Sequence, residues 1–341
     1  MLHFASDYQE GAHPEILRRL NETNLVSTAG YGTDEFCESA RRKIREACEC
    51  PGAEIHFLVG GTQTNATVID ALLRPWQGVV AADTGHISVH EAGAIEFGGH
   101  KVLTLPHREG KISAEQVRRC CEGYRQDANR DHTVMPGMVY ISQPTEFGTL
   151  YSLRELEALS GVCREYGIPL YADGARLAYA LACGQNDVSL PDLARLCDVF
   201  YIGGTKCGAL FGEAAVIPDP KLLPHFFTIV KQHGALLAKG RLMGIQFDVL
   251  FTDGLYFQIA QNAIDRAMEL KALFLSKGYQ LFLDSPTNQQ FILLDPAAMA
   301  RLDGHVAYEV WERLPDGRAV TRFATSWATT PAQIAALTAL L

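Results

Sequence analysis

The chain has 341 residues, of which 48% are hydrophobic and 20% are charged, the composition of an ordinary soluble globular protein with a large core. Its formal net charge of −9 at pH 7 argues against a general nucleic-acid binder, because neutralising phosphates requires a basic surface. No apolar run is long enough to span a bilayer, and nine cysteines without a secretory signal or zinc-ligand spacing predict free thiols in a reducing cytoplasm and no metal site.

The first predicted elements are two helices joined by a glycine-containing loop. The helices cover residues 15–20 and 35–50, and the loop between them places Tyr31 between two glycines. Tyr31 is either a ligand-facing aromatic that reaches a neighbouring subunit or a loop residue packed on its own chain.

A predicted phosphate site follows. A buried strand over residues 55–59 leads through Gly61 and Thr62 into a helix that ends near Leu73. Free N–H groups and the Thr62 hydroxyl at such a helix start favour a bound anion such as phosphate, with a plain helix cap as the alternative.

Two histidines follow the next predicted strand, over residues 79–82. His86 is expected in the loop after it, and His90 on a helix that begins near Ser88. An imidazole here can stack on an aromatic cofactor ring and transfer protons near neutral pH. We favour a functional role for His86 and a structural one for His90.

Strands and helices then alternate, as in a mainly parallel sheet wrapped by helices. Strands over residues 101–105 and 138–143 are interleaved with helices over residues 113–125 and 153–166. The loop after the second strand contains Glu146, a candidate acid or base. A solvated loop glutamate is the favoured interpretation.

The next two strands each deliver a side chain with useful chemistry. One ends in Asp173, followed by Arg176, and the other, over residues 199–202, leads through Thr205 to Lys206. Because ligands gather at the carboxyl ends of strands in an open α/β sheet, both are expected at one edge. A lysine in a tight pocket tends toward the neutral amine that forms a Schiff base, and a carboxylate keeps a pyridine nitrogen protonated. The pair is therefore typical of pyridoxal phosphate chemistry.

The chain changes character after a short strand over residues 214–217, which is expected to return antiparallel. Strands over residues 279–283, 290–295 and 318–325 are predicted among helices over residues 220–233, 235–251, 255–277 and 304–314 and a last helix from Pro331. We predict a large domain with an N-terminal arm and interface helices over residues 1–252, and a small α+β domain over residues 253–341. Arg322, on an alternating strand, either reaches inward to hold a carboxylate or lies on the surface.

Taken together, these motifs resemble the low-specificity L-threonine aldolase family of beta-eliminating lyases. The pieces that carry the likeness are Ser6-Asp7, Tyr31-Gly32, Gly61-Thr62, His86-Ile87, Glu91-Ala92-Gly93-Ala94, Asp173-Gly174-Ala175-Arg176 and Thr205-Lys206. The family consists of pyridoxal-phosphate enzymes with the aspartate-aminotransferase-like fold. The resemblance therefore implies an α/β protein with a mainly parallel seven-stranded sheet in the large domain and a smaller C-terminal α+β domain.

The resemblance also implies how pyridoxal 5'-phosphate is held. Lys206 would form the Schiff base with the cofactor, and Asp173 would pair with the pyridine nitrogen. His86 would stack on the ring. Gly61 and Thr62 would bind the phosphate.

The amino-acid substrate would meet a second group of residues. The resemblance assigns its carboxylate to Ser6, Arg176 and Arg322, with Tyr31 close by, and places Arg176 and Thr205 beside the cofactor as well. Family members are usually dimers or dimers of dimers with the active site at a subunit interface.

Two departures from the family pattern bear on the substrate. Glu146 stands where the family commonly has a histidine that contacts the substrate side chain, and residues 231–237 replace a glycine-rich run. The implied reaction is cleavage of an L-β-hydroxy-α-amino acid into glycine and an aldehyde. The alternatives are β-elimination, transamination, or a non-catalytic ligand-binding protein. The general base is His86, His90, Glu146 or a water that they hold, with His86 or the water favoured.

Overall fold

The computed structural model describes all residues from 1 to 341. Its strands are β1 (Leu2–His3), β2 (Glu54–Leu58), β3 (Gln77–Ala82), β4 (Lys101–Leu105), β5 (Met135–Ser142), β6 (Leu170–Asp173), β7 (Val199–Gly203), β8 (Glu213–Ile217), β9 (Gln280–Leu283), β10 (Gln289–Leu294), β11 (Val306–Ala307), β12 (Glu309–Arg313) and β13 (Ala319–Ala324). Its helices are α1 (Pro14–Glu22), α2 (Glu35–Ala47), α3 (Gly61–Leu72), α4 (His86–Val89), α5 (Ala94–Phe97), α6 (Ala114–Gln126), α7 (Leu153–Tyr166), α8 (Leu177–Ala182), α9 (Leu190–Leu196), α10 (Phe226–Gln232), α11 (Arg241–Leu250), α12 (Leu255–Ser276), α13 (Pro296–Leu302) and α14 (Pro331–Thr338).

A seven-stranded sheet in the order β2-β8-β7-β6-β5-β3-β4 organises most of the chain. The strands from β4 through β3, β5 and β6 to β7 are parallel, whereas β8 is antiparallel to both β7 and β2. The predicted mainly parallel sheet with an antiparallel return after β7 is confirmed.

Alternate residues of the central strands pack into two different cores. Val139 and Ile141 of β5 belong to a cluster of 47 buried residues on one face, whereas Tyr140 belongs to a cluster of 20 on the other. Tyr171 of β6 and Tyr201 of β7 join Tyr140 in that smaller cluster, together with residues of α3. Because helices cover both faces, the strands are apolar almost throughout, and the three tyrosines share one face.

A second sheet, of four antiparallel strands in the order β12-β13-β10-β9, forms in the C-terminal part. It has its own core of 11 buried residues, which includes Phe4 from the start of the chain. Strand β1 pairs in parallel with β11, so residues 2–4 lie against this C-terminal part. The division of the chain near residue 252 stays a prediction.

Three predicted helices differ from the observed elements. Residues 304–314 form β11 and β12 instead of a helix, because Val306, Tyr308 and Val310 alternate and suit a strand beside β13. The helix expected over residues 220–233 begins only at Phe226, after Pro224 has interrupted it. The helix expected over residues 235–251 is confined to α11. No helix combines the length and apolar character needed to cross a membrane.

Candidate active site

A cavity of about 300 Å³ opens at the carboxyl edge of the parallel strands. Of the ten site residues predicted from the sequence, seven line it, and they are Gly61, Thr62, His86, Asp173, Arg176, Thr205 and Lys206. They come from α3, from α4, from the end of β6 and from the segments that follow β6 and β7. The structure thus gathers around one space residues that lie far apart in the sequence, as expected for a sheet of this kind.

Asp173, the last residue of β6, is the buried acid of the cavity. Its Oδ1 accepts hydrogen bonds from Tyr201 OH at 2.5 Å and from the Ala175 N–H at 3.0 Å, and its Oδ2 accepts from Tyr140 OH at 2.7 Å and Asn65 Nδ2 at 2.9 Å. Burial alone raises the pKa of a carboxyl, but the charge of His86 and these hydrogen bonds outweigh it and leave the pKa of Asp173 below its usual value. The carboxylate is therefore ionised and fixed in orientation.

The sequence did not single out the donors that hold Asp173. Tyr140 on β5 and Tyr201 on β7 lie on the same face of the sheet. The alternation of residues along these strands was the one sequence signal that could have placed them there. Asn65 lies on α3, where its Oδ1 accepts from Tyr171 OH at 2.8 Å. Its amide also donates to Glu91 Oε1 at 2.7 Å, so it joins the two buried acids of the site.

His86 is the first residue of α4, not a loop residue before a helix that begins near Ser88 as predicted. Its Nδ1 lies 2.7 Å from Oε1 of Glu91, whose side chain is fully buried, while the imidazole is about one-third exposed. The carboxylate accepts a hydrogen bond from the Nδ1–H group, so Nε2 is the ring nitrogen that remains available. His90 follows the end of α4, is exposed, and is not part of the cavity wall.

Glu146 was interpreted as a solvated loop residue, and this is wrong. It lines the cavity, and its Oε1 accepts hydrogen bonds from Ser142 Oγ at 2.7 Å and from the His86 N–H at 2.9 Å. Burial raises the pKa of the Glu146 carboxyl. The loop after β5 folds back over the sheet edge, which the local sequence did not reveal.

Lys206 follows β7 and faces the cavity without an ion-pair partner within 4 Å. Burial, followed by the positive charge of Arg176, lowers the pKa of its ammonium group. The residue beside it, Thr205, accepts a hydrogen bond from the Gly212 N–H at 3.1 Å and contacts the buried Glu213. Lys206 is therefore an amine biased toward its neutral, nucleophilic form.

The two predicted carboxylate-binding arginines converge from different parts of the chain. Arg176 is held by Asp7, whose Oδ2 accepts from Nε at 2.7 Å and whose Oδ1 accepts from Nη2 at 2.9 Å. Arg322, on β13, is largely buried and points inward, where it donates to the Ala5 carbonyl at 3.2 Å and contacts Glu309. Its Nε has no hydrogen-bond partner in the protein.

Three predicted site residues, Arg322, Ser6 and Tyr31, do not line the cavity. Ser6 lies between Ala5 and Asp7, and so next to both arginine contacts, but it is not part of the wall. Tyr31 borders a separate cavity of about 270 Å³, where Lys231 Nζ lies 4.6 Å from the centre of its ring. A role for Tyr31 would require a second chain.

These residues fit pyridoxal phosphate. The ionised Asp173 suits a protonated pyridine nitrogen, and the unpaired Lys206 amine suits the aldehyde carbon. The start of α3 suits the phosphate, because its N-cap residue Gly60 offers no side chain to the free N–H groups. A Cβ at Gly61 would lie 3.1 Å from Tyr201 OH, so a glycine avoids a crowded contact at the start of this helix.

Known proteins are similar to this chain in sequence and fold. A family model described as beta-eliminating lyase matches residues 3–304. A low specificity L-threonine aldolase from a Pseudomonas species is 32% identical over 340 residues, which cover 98% of this chain and 96% of that protein. The solved structure of a Leishmania major threonine aldolase superposes with a TM-score of 0.97 at 43% identity, covering 100% of this chain and 98% of that one.

A more distant match concerns the fold alone. Aspartate aminotransferase from Thermus thermophilus, solved with maleate, superposes with a TM-score of 0.70 at 17% identity, covering 100% of this chain and 90% of that one. The predicted aspartate-aminotransferase-like fold is confirmed.

Proposed function

Since the chain belongs to the beta-eliminating lyase family, we propose that it is a pyridoxal-phosphate-dependent aldolase that cleaves L-β-hydroxy-α-amino acids such as threonine into glycine and an aldehyde. The predicted resemblance to the low-specificity L-threonine aldolases is confirmed, and with it the class of lyase and the cofactor. One observation carries the proposal for the site: the ionised Asp173 and the unpaired Lys206 face the same cavity.

The contacts of the cavity residues support the following mode of cofactor binding. Lys206 would bind it covalently through Nζ, Asp173 would keep its ring nitrogen protonated, and the start of α3 with Gly61 and Thr62 would bind its phosphate. When bound, pyridoxal phosphate supplies a ring that accepts the electrons of a breaking bond at the substrate Cα. Thr205 fixes the segment that carries Lys206 through its bond to Gly212.

Substrate orientation is the task of the two arginines and the segment around Ser6. Asp7 holds Arg176 by two hydrogen bonds, which fixes the plane of the guanidinium. Arg322 has an unused Nε donor. Held by both, the substrate carboxylate would turn the Cα–Cβ bond perpendicular to the cofactor ring.

The proton of the substrate β-hydroxyl would pass to Nε2 of His86, because Nδ1 is engaged by Glu91. Glu146 is a poorer base, since burial raises its pKa and favours the neutral acid. His90 lies outside the cavity wall. We therefore assign proton transfer to His86 or to a water that it holds.

A spectrum and a product assay test the proposal. Protein loaded with pyridoxal phosphate should show a visible absorbance band and release glycine and acetaldehyde in equal amounts from L-threonine. Lys206→Ala should lose or alter the band and abolish turnover, whereas the exposed Lys101→Ala should keep both. A protein that stays colourless with the cofactor contradicts the proposal.

A second candidate is β-elimination or transamination on another amino acid. It is favoured by the description of the matching family and by Glu146, a further acid in the cavity wall. It predicts pyruvate or another keto acid in place of glycine and aldehyde. A non-catalytic binding protein predicts no turnover of any amino acid.

We also infer that the chain works as a homodimer or homotetramer, in a reducing cytoplasm. Large apolar side chains are exposed on the single chain, among them Leu25 at 93%, Phe97 at 96% and Trp76 at 64%, and burying such side chains against another copy of the chain would be favourable. All nine cysteines are unpaired, which suits a reducing compartment. Sedimentation of the loaded protein tests the assembly, and a fully active monomer would contradict it.

A further inference from the structure

Glu213 is a buried acid that the proposed mechanism does not use. It is the first residue of β8, is only 3% exposed, and lines the same cavity as Lys206. In the antiparallel ladder between β7 and β8 it lies opposite Gly203. The strand that returns after the lysine loop therefore brings a carboxyl group back to that loop.

Its contacts tie Glu213 to the segment that carries the lysine. Its Oε2 accepts a hydrogen bond from the Gly204 N–H at 3.0 Å, and the Thr205 hydroxyl donates to the same carboxyl group. Thr205 in turn accepts from the Gly212 N–H at 3.1 Å. The residues immediately before Lys206 thus fix the position of the carboxyl group.

The other acids near Lys206 are engaged elsewhere. Asp7 forms two hydrogen bonds with Arg176 and one with Asn288, and Asp173 is saturated by the donors of its own cluster. Glu213 has only the two neutral donors described above and no cation within 4 Å. Of Asp7, Asp173 and Glu213, Glu213 is the acid with the fewest hydrogen-bond donors.

The charges in this part of the cavity act on both groups. Burial raises the pKa of Glu213, while the positive charge of Lys206 lowers it. Burial and Arg176 lower the pKa of Lys206, whereas Asp7, Asp173 and Glu213 raise it. Each group is driven toward its neutral form, and each favours the charged form of the other.

We propose that the Glu213 carboxylate is the negative partner of the Lys206 nitrogen. While the lysine is linked to the cofactor, the carboxylate keeps that nitrogen protonated. When the lysine is released as an amine, the proton passes between the two groups. This rests on the proposed function, in which Lys206 is the linking lysine. On release, the carboxylate takes one proton from the ammonium group, leaving a neutral amine and a neutral acid. Lys206 Nζ would then bond again to the same carbon of the cofactor and displace the amino group of the product, so no other reactant is needed.

The test follows the absorbance of the cofactor-loaded protein as a function of pH. The linked nitrogen absorbs differently when it is protonated, and a nearby carboxylate stabilises the protonated form. Glu213→Gln keeps an acceptor for Gly204 but removes the charge, so the midpoint of the absorbance change should fall by about one pH unit or more. Glu213→Asp withdraws the charge slightly and should lower the midpoint by less.

Asp198→Asn is the matched control. Asp198 is a half-buried carboxyl that also accepts a hydrogen bond from a backbone N–H, that of Leu170 at 2.8 Å, but it lies outside the cavity. Its variant should keep the wild-type midpoint. An unchanged or raised midpoint in Glu213→Gln overturns the inference, and if that variant does not fold, an unchanged or raised midpoint in Glu213→Asp does so. Absence of the band in wild-type protein would instead refute the proposed function itself, and with it the role of Glu213.

Discussion

The buried pair of Asp7 and Arg176 gives the sharpest prediction about this site. Asp7 is fully buried, and burial, opposed by Arg176, Lys206 and the hydrogen bonds from Arg176 and Asn288, leaves its pKa at about 2 instead of 3.8. At about 1.4 kcal/mol per pKa unit, the ionised form is favoured in the folded protein by roughly 2.5 kcal/mol. Asp7→Asn removes that charge and also leaves the buried Arg176 without its partner, so we expect a loss of about 3–5 kcal/mol in the free energy of unfolding.

Urea unfolding at pH 7, followed by tryptophan fluorescence, measures this loss. The control is Glu165→Gln, which breaks an exposed ion pair with Arg118 and should cost at most about 1 kcal/mol. Because the pKa of Asp7 is lowered on folding, its contribution is present above pH 4 and is lost as the pH falls toward 2. The difference in the free energy of unfolding between wild type and Asp7→Asn should therefore become smaller as the pH falls from 4 toward 2. Equal losses for the two variants at pH 7 would refute the reasoning.

Three further predictions concern the cavity. Asp173→Asn should weaken retention of pyridoxal phosphate by about 2 kcal/mol or more, measured by dialysis of the loaded protein, and undiminished retention would argue against its pairing with the ring nitrogen. Gly174→Ala would place a Cβ 1.9 Å from the Tyr201 carbonyl oxygen and should cost about 3 kcal/mol in the free energy of unfolding. In the control, Gly184→Ala, no atom lies within 4 Å of the new Cβ, so the free energy of unfolding should change by less than about 0.5 kcal/mol. His86→Asn should lower kcat for aldehyde release by roughly 10²–10⁴-fold, while His90→Asn should leave it within a few-fold; the reverse order would move the base to His90.

The fold was predictable where strands carry a clear apolar pattern. The strands between residue 54 and residue 217 were predicted in the right order, although α8 and α9 were not predicted, and the ends of β6 and β7 bring Asp173 and Lys206 to one edge. The stretch from residue 304 to residue 314 was predicted wrongly, since its short strands depend on pairing with β13. Local pattern alone could not supply that partner.

The partners of the site residues were much harder to predict. Asn65 reaches Asp173 from 108 positions earlier in the chain, and no spacing rule connects the two. Glu146 sits in an ordinary loop sequence, and only the tertiary fold buries it. Glu213 gave no signal, because a glutamate that begins a strand is usually exposed, and its burial follows from the antiparallel return of β8.

Residues 2–7 contact both large sheets of the chain, and we call this segment the strap. Leu2 and His3 pair with β11, the Phe4 carbonyl accepts from the Ala324 N–H at 2.7 Å, and Asp7 binds Arg176 at the large sheet. Asp7 and its hydrogen-bond partner Asn288 are 281 positions apart in the sequence, and Ala5 and Arg322 are 317 positions apart. Contacts so distant in sequence form late in folding, because the closure of such long loops opposes them. During synthesis the strap emerges long before the C-terminal segments that it contacts, so competence for substrate binding is expected to be acquired late by a newly made molecule.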